Sequence, residues 1–208
     1  MSNPQVVSVT PVEDVFSITW NISLRCNYDC MYCPPTLHNN HSKHLTLEQF
    51  KTYWQDIYNK TIHKGLKYKL SFTGGEVTSN KHFLPFLTWL RENYSNDIDK
   101  ILISTNGSAT YKYYQKMYNL VENISFSVHS EYIHETKFFN MIVKLKETIP
   151  SNKFIHVNIM NEYWNTERIV KYKEILAAHN ISYSVPEVHL TRPVREFPIF
   201  KGKLDLEI

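Results

Sequence analysis

Cysteine is scarce in this sequence: the 208 residues hold three, Cys26, Cys30 and Cys33, crowded into eight positions. An odd, clustered number is a poor basis for a disulfide framework. Long apolar runs are missing too, and nothing approaches the roughly 18 apolar residues that a membrane-spanning helix needs. Neither charge sign is in excess. Lys+Arg 23 against Asp+Glu 20 leaves a formal +3, too little to mark a nucleic-acid or membrane-surface binder, which concentrates basic residues on one face. Residues 1–14 contain no basic segment followed by an apolar one, so no secretory signal is expected and the default location is cytoplasmic. Glycine is limited to five residues, while 42% of the chain is hydrophobic and 14% aromatic. That is enough for one domain with a sizeable core and too little chain for a second full one.

Short β-type runs alternate with longer helical ones between residues 16 and 190. That order predicts parallel strands joined by crossover helices. The strand candidates are 16–23, 68–73, 101–105, 124–129, 154–160 and 181–185. A helix over 46–60 opens with a capping-box pattern, Thr46 with Gln49 three residues later, and sets Phe50, Trp54 and Ile57 on one face. Helical spacing also marks 79–94, through Phe83, Phe86, Leu87 and Leu90, and 166–179, through Ile169, Tyr172 and Leu176. Segments 110–120 and 134–149 complete the set, with Pro150 stopping the latter because proline has no backbone donor and clashes with the preceding turn. There is no internal repeat and no low-complexity linker. The chain divides into an N-terminal extension (1–15), a core (16–190) and a C-terminal tail (191–208).

Covered parallel sheets usually read as continuous aliphatic runs. Here nearly every strand alternates: Ser17, Thr19, Asn21 and Ser23 interleave with Phe16, Ile18, Trp20 and Ile22, and the same holds for Ser71 and Thr73, for Ser104 and Asn106, for Ser125, Ser127 and His129, for His156 and Asn158, and for Ser182 and Ser184. A closed eight-stranded barrel fills its interior with bulky branched side chains. Small polar residues on six inner faces point instead to an α/β fold of a different kind, a partial (β/α)6 barrel of parallel strands, open on one side, with room for a polar ligand. An antiparallel sheet with one solvated face would alternate in the same way, but its hairpins would need only short turns, and these connections run to dozens of residues.

The densest chemistry follows the first strand: Arg25-Cys26-Asn27-Tyr28-Asp29-Cys30-Met31-Tyr32-Cys33-Pro34. Spacing i, i+4, i+7 would suit an apolar helical stripe, but Asn27, Tyr28 and Asp29 are mediocre helix formers and Pro34-Pro35 ends the segment. Three thiolates with His38 or His41 would make a structural Cys3His zinc site, the reading of a noncatalytic metal-binding interaction module. Three thiolates would also hold an iron–sulfur cluster, which usually takes four. With no fourth cysteine, one iron would be left open to bind something else.

Cys26-x3-Cys30-x2-Cys33, with aromatic Tyr32 before the last cysteine, resembles the cluster loop of radical S-adenosylmethionine (radical SAM) enzymes, which also follows the first strand of a six-stranded partial barrel. The resemblance covers essentially all of residues 16–190. Thr73-Gly74-Gly75-Glu76, after the second strand, resembles the family's Gly-Gly-Glu, which contacts the methionine amino group of SAM. Glycine permits close backbone approach, and a carboxylate or carbonyl can accept from an ammonium. By the same resemblance Ser104 and Asn106, within Ser104-Thr105-Asn106-Gly107, are cofactor-binding; read on its own, that segment is equally an Asn-Gly turn. Ser127 and His129 on strand four and Asn158 on strand five resemble positions that hydrogen-bond the SAM ribose or carboxylate, and the backbone from Val185 to Val188 would face the adenine. A histidine on a strand is more often structural, and His129 is the one low-ranking catalytic candidate.

The resemblance implies a [4Fe–4S] cluster on Cys26, Cys30 and Cys33, with S-adenosyl-L-methionine chelating the fourth iron. One electron then cleaves SAM to methionine and a 5′-deoxyadenosyl radical that abstracts hydrogen from a substrate. It also implies an electron donor such as flavodoxin or ferredoxin, and no membrane. With no second set of cysteines, no auxiliary cluster is expected. The substrate is a small polar metabolite or nucleotide, suggested by the polar inner faces, or a peptide, protein or nucleic acid reached through the open side. The chain is short for that family, either a minimal version or one whose site a partner completes. Its tail could cover the barrel floor or side, or extend into solvent.

Overall fold

In a computed structural model, residues 5–12, 15–162 and 166–188 are described. Six parallel strands run in chain order: β2 (Val15–Asn21), β3 (Lys67–Thr73), β4 (Ile98–Thr105), β5 (Asn123–Val128), β6 (Phe154–Ile159) and β7 (Ser182–Ser184). Before them, β1 (Gln5–Val12) pairs antiparallel with β2, so the sheet has seven strands in the order β1 to β7. No strand was expected in 1–15; only two residues separate β1 from β2 in the sequence, the one separation in the sheet short enough for antiparallel pairing. Among the described residues the sheet does not close on itself, and β1 and β7 are its edges. The tail and the last residues of the expected core lie outside the described residues.

Helices α1 (Leu47–Thr61), α2 (Phe83–Tyr94), α3 (Tyr111–Tyr118), α4 (Glu135–Thr148) and α5 (Thr166–Ala178) connect the parallel strands. The capping box forms as read: Thr46 accepts from the Gln49 backbone N–H, and the Gln49 side chain accepts from Thr46 N–H. Helix α2 starts later than the expected 79, because Asn80 bonds locally: its Oδ1 accepts from His82 N–H while its amide donates to the Leu45 carbonyl. Such local bonding competes with helix. A short 3-10 turn, Val77–Ser79, takes its place.

One sheet face is apolar. Ile18, Trp20, Leu70, Phe72, Ile103 and Phe126 are buried under the helices, each contributing about 1.5–3 kcal/mol relative to exposure. At the α1–α2 end the packing is aromatic, with Trp20 5.7 Å from Phe72, 5.8 Å from Phe86 and 6.1 Å from Phe50. The other face carries the small polar residues, half-buried or exposed, as the alternation predicted. Small side chains leave this concave face open, and the strands' C-terminal ends meet at its rim.

Candidate metal centre and its cavity

The cysteines lie in the loop between β2 and α1, and backbone hydrogen bonds build that loop from the sheet outward. Ile22 N–H donates to Thr73 O at 3.0 Å, extending the β2–β3 pairing by one rung. Gly75 N–H then donates to Ser23 O at 2.7 Å and Glu76 N–H to Arg25 O at 2.9 Å. Cys26 N–H donates to Asn39 O, and Asn39 N–H to Leu24 O, each at 2.7 Å, closing the loop at its base. Inside it, His38 Nε2 meets Asp29 Oδ1 at 2.8 Å and its Nδ1 meets Pro34 O at 3.2 Å.

This close stitching explains the glycine pair. A Cβ on Gly75 would sit 2.2 Å from the Arg25 carbonyl oxygen, and one on Gly74, whose φ is +146°, would sit 2.6 Å from Ser23 O. Both distances are far inside contact, so the end of β3 can lie against the cysteine loop only without side chains. The next residue, Glu76, is 2% exposed. Its carboxylate accepts from Thr78 N–H (2.9 Å), Thr78 Oγ1 (2.6 Å), Thr105 Oγ1 (2.7 Å) and Asn106 N–H (2.6 Å). Burial pushes this carboxyl above its usual range, and those donors oppose the shift. Glu76 therefore ties the ends of β3 and β4 together, and its carboxylate is committed to that task.

Asn106 carries the connection onward. Its amide donates to Asn27 Oδ1 at 2.9 Å and lies 3.9 Å from Cys26 Sγ. The segment after β5 holds the other side of the loop. His129 Nδ1 lies 3.5 Å from Cys30 Sγ and hydrogen-bonds the Tyr32 hydroxyl. Glu131 accepts from Met31 N–H at 3.2 Å, and the Tyr132 hydroxyl donates to Asp29 O at 2.9 Å, with Tyr132 stacked on Tyr28. Burial holds the His129 imidazole down to about 4, so it is neutral near pH 7. Burial also pushes the Cys26 and Cys30 thiols up, so a bound cation must displace their protons.

Cys26, Cys30 and Cys33 line one cavity of about 180 Å³. Of the expected cofactor-binding residues, Gly74, Gly75, Ser104, Asn106, Ser127 and His129 line it as well. Four others do not. Tyr32 packs beneath the loop, Glu76 is buried behind the glycines, Val185 packs against the apolar core, and Asn158 sits further along the inner face. There, Asn158 Nδ2 donates to Ser125 Oγ at 2.9 Å, Ser184 Oγ donates to Asn158 Oδ1 at 2.7 Å, and His156 bridges Ser182 and Ser184 at 2.9 and 3.1 Å. Thr73 of the glycine motif and His38 also line the cavity, as do Tyr28 and Thr105, for which the sequence suggested no role. Glu131 and Tyr132 were missed too, and their signal was position: they follow the C-terminal end of a parallel strand, where such folds place their sites.

The donor set suits a multi-iron cluster. Three thiols, Cys26, Cys30 and Cys33, face one cavity, and thiolates spread over separate irons are how such clusters are held. The zinc reading finds no support: both His38 ring nitrogens are engaged inside the loop, and His41 is exposed.

The fold and site together define an α/β partial-barrel protein with a cysteine-lined mouth. The model of the Radical SAM superfamily matches residues 20–149, and this chain belongs to that superfamily. Members of that superfamily use a [4Fe–4S] cluster and SAM. GTP 3′,8-cyclase of Campylobacter jejuni subsp. doylei is 31% identical over 87 residues, which cover 42% of this chain and 26% of that protein. The crystal structure of BtrN in complex with AdoMet and 2-DOIA matches with a TM-score of 0.52 at 17% identity, covering 72% of this chain and 57% of the other. The chain thus spans well under two thirds of either relative. Among the described residues no helix is long and apolar enough to cross a membrane.

Proposed function

We propose that Cys26, Cys30 and Cys33 hold the [4Fe–4S] cluster, and that the same cavity takes SAM for cleavage to a hydrogen-abstracting radical. The observation that carries this reading is the convergence of three thiols, and no fourth, on one cavity bordered by the glycine pair. Held by Cys26, Cys30 and Cys33, such a cluster would supply the single electron needed to cleave the SAM sulfonium reductively to methionine and a 5′-deoxyadenosyl radical.

The chain's own residues position the parts. Backbone at Gly74 and Gly75 faces the cavity and would hold the methionine ammonium, while Glu76, turned inward, keeps that backbone in place. Ser104, Asn106 and Ser127 border the cavity beyond the glycines and would hydrogen-bond the polar groups of SAM. Asn158 and the backbone near Val185 extend that line toward the ribose and adenine. His129 stays neutral and braces Cys30. The polar inner face favours a small polar metabolite or nucleotide as substrate, and one relative is named for a nucleotide, GTP.

The test is formation of 5′-deoxyadenosine from SAM by anaerobically reconstituted protein under a chemical reductant. Product is expected from the native chain and none from Cys30→Ala. Absence of product from a fully loaded native chain would overturn the reading.

A further inference from the structure

The open face of the sheet carries positive charge as well as hydroxyls. Along β3 the buried Tyr68, Leu70 and Phe72 turn to the helices, so Lys67, Lys69, Ser71 and Thr73 share the open face. On β4 that face takes Lys100, Leu102 and Ser104. Lys69 is half-buried, and its register neighbours are Ser17 on β2 and Lys100 on β4. Among the described residues it has neither an ion pair nor a hydrogen bond.

Nearby carboxylates do not balance these charges. Asp99 is the one Asp or Glu in the six parallel strands, and it lies 4.0 Å from Lys100 Nζ, at the register shift between β3 and β4. Asp97 accepts from the Tyr58 hydroxyl, and Glu122 is held between Arg91 and Lys153. Three lysines therefore share one face with one carboxylate beside them. Like charges on neighbouring strands destabilise a sheet, and an anion bound from outside the chain would relieve that repulsion.

The same face leads up to the cysteines. Thr73, at the C-terminal end of β3, lines their cavity. Lys69 lies four residues earlier, about 13 Å along the strand. Between them Ser71 and Thr19 stand side by side in register, and their hydroxyls can donate or accept. A small molecule with its reacting carbon at the cavity and an anionic group at Lys69 would bridge that span together with the lysine side chain. Lysine binds phosphate as a point charge, and a hydroxyl-lined wall suits a sugar.

We propose that Lys69 binds the phosphate of the substrate, which is a small sugar phosphate. The proposal rests on the function proposed above for the chemistry at the cavity, whereas the grip on phosphate needs only the folded chain. The phosphate serves as an anchor, and none of its bonds changes.

The test is calorimetric titration of the full chain, with and without reconstituted cluster and SAM, using ribose 5-phosphate and ribose as probes. The native chain is expected to bind ribose 5-phosphate at least tenfold more tightly than ribose, with a preference that shrinks as salt screens the charges. Lys69→Glu and Lys69→Gln should each remove about tenfold or more of that preference. Lys146→Glu, an equal charge change on the exposed face of α4, should leave it intact. Melting supplies a second readout: ribose 5-phosphate should raise the melting temperature of the native chain and not that of Lys69→Gln. Without the probe, Lys69→Gln should melt no lower than native, because it removes a like-charge neighbour. A native chain that does not distinguish ribose 5-phosphate from ribose would overturn the proposal, as would a loss in Lys146→Glu equal to that in the Lys69 variants. Failure of the loaded native chain to cleave SAM would instead overturn the proposed function, and the titration without cluster would still decide whether Lys69 binds phosphate.

Discussion

The two halves of the sheet are built from different kinds of contact. At the ends of β2, β3 and β4, backbone meets backbone: Gly75 N–H on Ser23 O, Glu76 N–H on Arg25 O, and a buried carboxylate that gathers Thr78, Thr105 and Asn106. Along the inner faces of β5, β6 and β7 the contacts run between side chains, from Ser125 through Asn158 and Ser184 to His156. The first half has little freedom, because each glycine and the carboxylate answer to fixed backbone positions. The second is a ladder of hydroxyl, amide and imidazole groups, each able to donate or accept as a ligand requires. A cofactor common to a superfamily suits the first arrangement. The second would suit both the polar groups of SAM at Asn158 and a substrate particular to one enzyme beside it.

Substitutions should separate the halves in a graded way. The largest effect is expected from Cys30→Ala, which should abolish iron incorporation, read by metal analysis of reconstituted protein. Next, Glu76→Ala strips the acceptor from buried donors on β4, at a cost of about 3 kcal/mol. For a chain of this size that lowers the melting temperature by roughly 6–12 °C, and iron uptake should fall with it. Gly75→Ala drives a Cβ into the Arg25 backbone and should cost about 2 kcal/mol. Because the strain falls on the cysteine loop, iron content should drop more than melting suggests. Thr46→Ala removes the α1 cap for about 1 kcal/mol and should leave iron content untouched, since the cap supports fold alone. The smallest effect on stability is expected from His156→Ala. On a half-buried face it should shift stability by less than about 1 kcal/mol, with cluster and SAM cleavage intact. A loss of iron in that variant would erase the distinction between the halves.

How far the sequence could be read follows the same division. The strand order, the helices and the polar inner face were legible because side-chain period reports local geometry directly, and Cys26, Cys30 and Cys33 were legible as one group because all three thiols of the chain fall within eight residues. The glycine pair was read as a cofactor contact; its nearest neighbour is the cysteine loop's own backbone, a contact between segments about 50 residues apart that no local pattern encodes. Glu76 was read as a candidate ligand contact. Its carboxylate turns inward because Thr105 and Asn106 present donors there, and their arrival depends on the register of β3 with β4. The clamp by Glu131 and Tyr132 was hidden for the same reason, since both touch residues about 100 positions earlier. Strand β1 escaped because an antiparallel edge needs no crossover to announce it.

The central claim is that three thiolates hold a cluster whose remaining iron is open to SAM. The most direct measurement is the EPR spectrum of the anaerobically reconstituted, reduced protein, with iron and sulfide counted, before and after SAM is added. The account predicts about four irons per chain, a spectrum that changes on adding SAM, and neither feature in Cys30→Ala. Stoichiometric zinc without iron uptake, or a cluster whose spectrum SAM leaves unchanged, would contradict it.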